Sequence, residues 1–180
     1  MTKYAKIMAT FGVLAGLGVA SLPLATFAAT TSETTVKVTV QEGVSIANDN
    51  STADAGNKTP GEAGTATSNL TAGTNNAAGL KITVKDKDED TSLRAAGITG
   101  SVAGVDFIPT AASGVGTWSL KGGDLTVDTA MVKNSETALV VKNTSSASTE
   151  HVPVTYRIEP GTAQRQGTYE DVIVYTVTKN

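Results

Sequence analysis

Short runs in which apolar and polar residues alternate are the feature that most constrains the fold of this chain. Residues 35–41 carry valine at every second position, and residues 80–85 alternate leucine, isoleucine and valine with polar side chains. Successive side chains of a strand point to opposite faces, so this period of two predicts strands with one buried face. The same reasoning predicts strands at residues 117–120, 125–127, 138–141, 152–158 and 169–178.

Turn residues separate the predicted strands at fairly regular spacing, which is typical of antiparallel sheets. We therefore expect an all-β fold, an immunoglobulin-like antiparallel β-sandwich of about seven to nine strands. Residues 169–178 are apolar or aromatic on both faces, which predicts a central strand. Pro153 cannot donate a ladder hydrogen bond, so the strand at 152–158 is expected at a sheet edge, or to have Pro153 in its first part.

Residues 47–79 interrupt this rhythm of strands and turns. The stretch is rich in Asn, Thr, Ala and Gly and holds almost no large apolar side chains. Such a segment buries little surface, so the sequence predicts a long flexible surface loop. Loop-closure entropy changes by only about 0.6 kcal/mol per doubling of length, so a deletion of residues 51–68 is expected to cost little stability.

The first 28 residues are typical of a secretory signal peptide. Lys3 and Lys6 precede an apolar run at residues 7–24, and Thr26 and Ala28 are small residues at the positions that a signal peptidase reads. We expect cleavage after Ala28, with residues 29–180 forming a single secreted or cell-surface domain without a membrane segment. The alternative is a single membrane-anchoring helix, for which the run is slightly short and lacks a basic stop-transfer cluster.

Composition argues against several classes of function. The formal net charge of −3 offers no basic stripe for a nucleic acid. Cysteine is absent and His151 is the only histidine, so neither disulfides nor thiolate or histidine metal cages are expected. The residues before His151, 148–150, are Ser, Thr and Glu, but consecutive residues do not form a supported catalytic triad. We expect a non-enzymatic protein without a cofactor.

An acidic run offers one candidate metal site. Asp86, Asp88 and Asp90 are spaced two apart, which resembles the start of a calcium-binding loop because calcium is bound by alternating oxygen ligands. Thr91 stands where the turn glycine of an EF-hand loop belongs, and Gly97 where its bidentate glutamate belongs. The alternative is a solvated hairpin loop after the strand at 80–85.

Trp118, the only tryptophan, is the candidate glycan-binding residue. An exposed indole ring could stack on a sugar ring. The alternative is a core position, where a tryptophan in a β-sandwich buries a large apolar area.

The last third of the chain suggests a family. Residues 154–156 are followed by Gly161, by Gly167 with Tyr169, and by the alternating residues 172–178. Together with residues 79–84 and the Trp-Ser-Leu motif at 118–120, this pattern resembles the WxL-type cell-wall-binding domains of Gram-positive bacteria. More loosely, it resembles the spore coat protein U and pilus-subunit group. The resemblance covers residues 34–180 without 47–79.

The resemblance implies an exported structural or adhesin-like protein of the bacterial cell surface or extracellular space. The alternative that it implies is a binding module for a cell-wall polysaccharide or another glycan. Further copies of the chain or other surface proteins would be the partners. Residues 34–41 are expected to pair within their own domain, beside the strand at 169–178, or to be donated to a neighbouring subunit by strand addition.

Overall fold

The computed structural model describes residues 33–180, which divide after Thr39 into two units. The predicted signal peptide and its cleavage site lie outside the described residues and stay predictions. Residues 33–39 contain no strand, so every strand of the described residues belongs to the second unit. No helix occurs in either described part, and none therefore is long and apolar enough to cross a membrane.

The second unit consists of strands joined by turns and loops. They are β1 (Val44–Asn48), β2 (Gly64–Thr74), β3 (Leu80–Asp86), β4 (Leu93–Ala95), β5 (Phe107–Ile108), β6 (Thr117–Gly122), β7 (Leu125–Thr129), β8 (Leu139–Asn143), β9 (Ser148–Glu159), β10 (Tyr169–Glu170) and β11 (Ile173–Lys179). All pairings between these strands are antiparallel. The expected all-β antiparallel fold is confirmed. The eleven strands within residues 33–180 exceed the expected seven to nine, because β1, β2, β4 and β5 were not predicted and the predicted strand at 169–178 is divided into β10 and β11.

The strands form two layers around one core. A five-stranded sheet has the order β1-β2-β9-β6-β7, and two three-stranded sheets have the orders β11-β3-β8 and β10-β4-β5. The inner faces of the five-stranded sheet and of β11-β3-β8 share a cluster of buried side chains, which includes Leu70, Leu80, Ile82, Val84, Trp118, Leu120, Val141, Val152 and Val154. Two sheets joined by one apolar core make a β-sandwich. The immunoglobulin-like connectivity stays a prediction.

β3 and β9 form where alternation in the sequence predicts them. The inward positions of β3, from Leu80 to Asp86, are all buried. β9 is longer than predicted and lies in the middle of its sheet, so the expected edge position of Pro153 is wrong. Asn69 is the β2 residue opposite Pro153. Asp49 N donates to Asn69 O at 3.1 Å, so the backbone groups of Asn69 point towards β1 and away from Pro153. β6 ends opposite Val154, and Pro153 therefore removes no ladder bond.

The predicted loop at residues 47–79 is wrong over much of its length, because residues 64–74 form β2. This strand pairs with β1 on one side and with β9 along its whole length on the other. Its inward residues are buried and mostly small: Ala66, Ser68, Leu70 and Ala72. The period of two is present in the sequence, but the absence of large apolar residues hides it. Residues 49–63 and the turn at 75–79 are the parts that lie outside strands. A deletion of residues 51–68 removes the start of β2.

The predicted strand at 169–178 is divided and lies at an edge. Asp171 and Val172 separate β10 from β11, and β11 is the first strand in the order β11-β3-β8. The expected central position is therefore wrong. Ile173, Tyr175 and Val177 face the core, whereas Val174, on the other face, is 39% exposed. Apolar residues occur on both faces of this strand, but only one face is packed against the core.

Candidate functional site

Trp118 lies in the core. The residue is 3% exposed, and its indole Nε1 donates a hydrogen bond to the Thr91 carbonyl oxygen at 2.9 Å. A sugar ring requires an open aromatic face, so Trp118 does not provide the glycan platform that the sequence left open. The core position is the alternative that the structure supports, and the hydrogen bond satisfies the one polar group of the buried ring.

His151 lies on the exposed outer face of β9. Its Nδ1 is 3.1 Å from the Thr71 hydroxyl of β2, its cross-strand neighbour. Ser148 and Glu150 lie on the same strand, and their side chains point to the opposite face from those of Thr149 and His151. The contact of His151 is therefore a cross-strand pair rather than an arrangement of nucleophile and base.

The acidic run after β3 forms a series of turns. Asp88 N donates to Asp86 Oδ1 at 2.8 Å, and Asp90 N donates to Asp88 Oδ1 at 2.7 Å. Asp90 also forms a salt bridge with Arg94, which lowers the pKa of Asp90 against the opposing effect of burial. The three carboxyl groups therefore bond to three different groups rather than to one common centre. Within residues 33–180, no group of three or more Asp, Glu or His side chains is arranged to hold a metal ion.

Asp86 instead lies beside Asp171, which the sequence reasoning missed. Asp86 is fully buried at the end of β3, and Asp171 lies two residues before Ile173, the partner of Asp86 in β11. Both side chains therefore point to the inner face. Burial first, and then the hydrogen bond and charge of Asp86, raise the pKa of Asp171 to about 8. The sequence held one signal for this position: the period of two places Asp171 on the same strand face as Ile173 and Tyr175.

A cleft of about 1590 Å³ borders β11. Ile173 and Tyr175 of β11, Tyr156 and Ile158 of β9, and the loop at 50–58 contribute to its walls. The hydroxyls of Tyr156 and Tyr175 are 2.7 Å apart, and burial followed by the proximity of Tyr156 raises the pKa of Tyr175. The Tyr175 phenol therefore stays protonated at neutral pH. The cleft combines this apolar and aromatic surface with hydroxyl groups and with charged residues such as Lys87, Asp88 and Arg94.

The outer side of β11 is an unpaired sheet edge. Lys87 N donates to Val172 O at 2.9 Å, and Asn180 N donates to Gly79 O at 3.2 Å. In an antiparallel pair every second residue exchanges backbone hydrogen bonds with the partner strand. Because Val172 and Asn180 are bonded in this way, the even-numbered residues of β11 bond to β3. Ile173, Tyr175 and Val177 turn their backbone N–H and C=O groups to the other side, where no strand of the described residues pairs with them. β1 lies close to part of this edge, and Lys179 Nζ bonds to Glu42 Oε2 at 2.6 Å. The rest of the edge can accept a further strand.

Residues 34–41 have the pattern of a strand but do not form one. Val36, Val38 and Val40 are 93%, 84% and 75% exposed. The expected pairing within their own domain is therefore not found. Large apolar side chains at alternate positions are seldom left in water without a partner surface. This segment is consequently a candidate for binding to a sheet edge.

Two comparisons with known proteins leave the family open. A scan against protein-family models matches no family, and a search of curated proteins finds no similar protein. The resemblance to WxL-type and spore coat protein U domains stays an interpretation of the sequence.

Proposed function

We propose that this chain is an exported, non-enzymatic structural protein of the cell surface or extracellular space, which assembles with further copies of itself by strand addition. One observation carries the proposal. Within residues 33–180, the segment 34–41 has the alternating pattern of a strand but pairs with none, and β11 has an unpaired edge beside an open cleft. Export is inferred from the signal pattern of residues 1–28.

The proposed donor segment is at least as long as the acceptor edge, part of which lies beside β1. A strand rises about 3.3 Å per residue, so residues 34–41 span about 26 Å and the seven residues of β11 about 23 Å. Added beside β11 of a second copy, the segment would bond to the free backbone groups of Ile173, Tyr175 and Val177. One face of the donor would then cover the cleft, while the opposite face would remain in water.

The side chains of the donor segment suit this placement. Val36, Val38 and Val40 would pack against the apolar part of the cleft, around Ile173, Tyr175 and Ile158. Each fully buried valine contributes about 1.5–3 kcal/mol. Thr35, Lys37 and Thr39 lie on the other face. Backbone bonds supply affinity without selecting a sequence, and the alternating valines supply the specificity. The glycan-binding alternative has less support, because Trp118 is buried.

Substitution of the three valines tests the proposal. The triple variant Val36→Asp, Val38→Asp and Val40→Asp should associate on the order of a thousandfold more weakly, since three buried valines are lost. Size-exclusion chromatography with light scattering over a concentration series measures this change. The matched control, Thr35→Asp with Lys37→Asp and Thr39→Asp, alters the outward face and should still assemble. A parent chain that remains monomeric at high concentration would contradict the proposal.

A deletion distinguishes donation from internal pairing. A chain without residues 29–41 should remain folded and monomeric, and should bind an added peptide of residues 34–41. If the deletion unfolds the domain, the segment belongs to its own sandwich. If the segment folds back onto β11 of its own chain, the parent protein is a monomer that binds no added peptide.

A further inference from the structure

Asp86 is fully buried and Asp171 is half-buried, and neither carboxyl group has a cationic partner among the described residues. Asp86 is 0% exposed, and none of the salt bridges within residues 33–180 involves Asp86, Asp88 or Asp171. Burial of a carboxylate is costly unless a positive charge or hydrogen bonds compensate for it. Asp88 adds a third negative charge close to Asp171 and increases this cost.

One oxygen of each carboxyl group is used and one is not. Asp86 Oδ1 accepts a hydrogen bond from Asp88 N at 2.8 Å, and Asp171 Oδ1 accepts one from Val172 N at 2.7 Å. The Oδ2 atoms of Asp86 and Asp171 are both buried and accept no hydrogen bond from an N–H or hydroxyl group of the described residues. The two carboxyl groups meet each other, and only a shared proton or a bound cation can satisfy these two oxygens together.

We propose that Asp86 and Asp171 bind a Ca²⁺ ion through their Oδ2 atoms. A divalent ion compensates both carboxylate charges at once. Calcium takes six to eight oxygen ligands in flexible geometry and accepts waters among them, whereas magnesium demands near-ideal octahedral geometry. Asp171 and Asp88 line the cleft, which is the side from which an ion with its water ligands would reach the pair.

The proposed site differs from the one that the spacing of Asp86, Asp88 and Asp90 suggested. Asp90 is held by Arg94 and does not take part. The second carboxylate comes from the segment before β11, which the antiparallel pairing places beside the end of β3. An ion there would tie the start of β11 to β3.

Calcium-dependent unfolding tests this site. Extracellular calcium modules have dissociation constants of about 0.1–1 mM, so at the tight end 10 mM Ca²⁺ should raise the Tm by roughly 5–10 °C over EDTA. Isothermal titration should give one ion per chain, and 10 mM Mg²⁺ should have a much smaller effect. Asp171→Asn retains the size of the side chain and should abolish both the Tm shift and the binding. The control Asp90→Asn, in the same acidic run, should retain them.

Two results would overturn the site. The first is a parent chain that neither binds Ca²⁺ in the titration nor shifts its Tm, and this result would mean that the two carboxyl groups share a proton only. The second is an Asp171→Asn chain that still shows the calcium-dependent shift. Should Asp171→Asn not fold, Asp86→Asn and the direct titration of the parent chain serve the same purpose.

Discussion

Replacing Trp118 with alanine is expected to lower the free energy of unfolding by about 3–5 kcal/mol. The side chain belongs to the core cluster shared by both sheets, and its Nε1 bonds to Thr91 O. Truncation leaves a large cavity and an unsatisfied carbonyl group. The loss is a substantial share of the about 5–15 kcal/mol that stabilises an ordinary domain. Urea denaturation followed by circular dichroism measures it.

The variant Trp118→Phe separates packing from hydrogen bonding. Phenylalanine fills much of the volume but cannot donate to Thr91 O, so we expect a smaller loss, of about 1–3 kcal/mol. A nearly neutral Trp118→Ala combined with a loss of glycan binding would contradict the buried position and would favour the exposed platform.

Replacing Leu70 with alanine should cost about 2–5 kcal/mol, although the residue lies in the stretch that the sequence assigned to a flexible loop. Leu70 is the largest inward side chain of β2 and is fully buried between β1 and β9. Its truncation removes the Cγ atom and two methyl groups from the buried face of the five-stranded sheet. Equilibrium unfolding in urea gives the free-energy change.

An outward residue of the same strand provides the control for Leu70. Thr65 is exposed, and Thr65→Ala should change the free energy of unfolding by no more than about 0.5 kcal/mol. A deletion of residues 51–68 should unfold the domain, because it removes the start of β2. If Leu70→Ala were as harmless as Thr65→Ala, or the deletion were tolerated, residues 64–74 would not be a core strand.

Local patterns in the sequence were sufficient for the strands with large apolar side chains. The inward positions of β3 and β9 carry leucine, isoleucine, valine and tyrosine at every second residue. Because strand geometry alone sets this period, it is visible without knowledge of any partner. The same period in β2 is hard to recognise in the sequence, because alanine and serine fill most of its inward positions.

Sheet order was decided only by the tertiary structure. Whether a strand is central or at an edge depends on which other strands pair with it, and this information is not local. β11 looked central because valine and isoleucine occur on both faces, yet it has one partner. Pro153 looked like an edge residue, yet it lies in a central strand at the point where β6 has ended.

The candidate sites show the same division. By itself the sequence determined an all-β chain, the alternation of valine with polar residues at 34–41, and the acidic run at 86–90. The tertiary structure decided that Trp118 is buried, that the edge of β11 is open, and that Asp171 lies against Asp86. The physical reason is that side-chain periodicity follows from the backbone of one strand, whereas burial, free edges and carboxyl pairs arise from the register between distant strands.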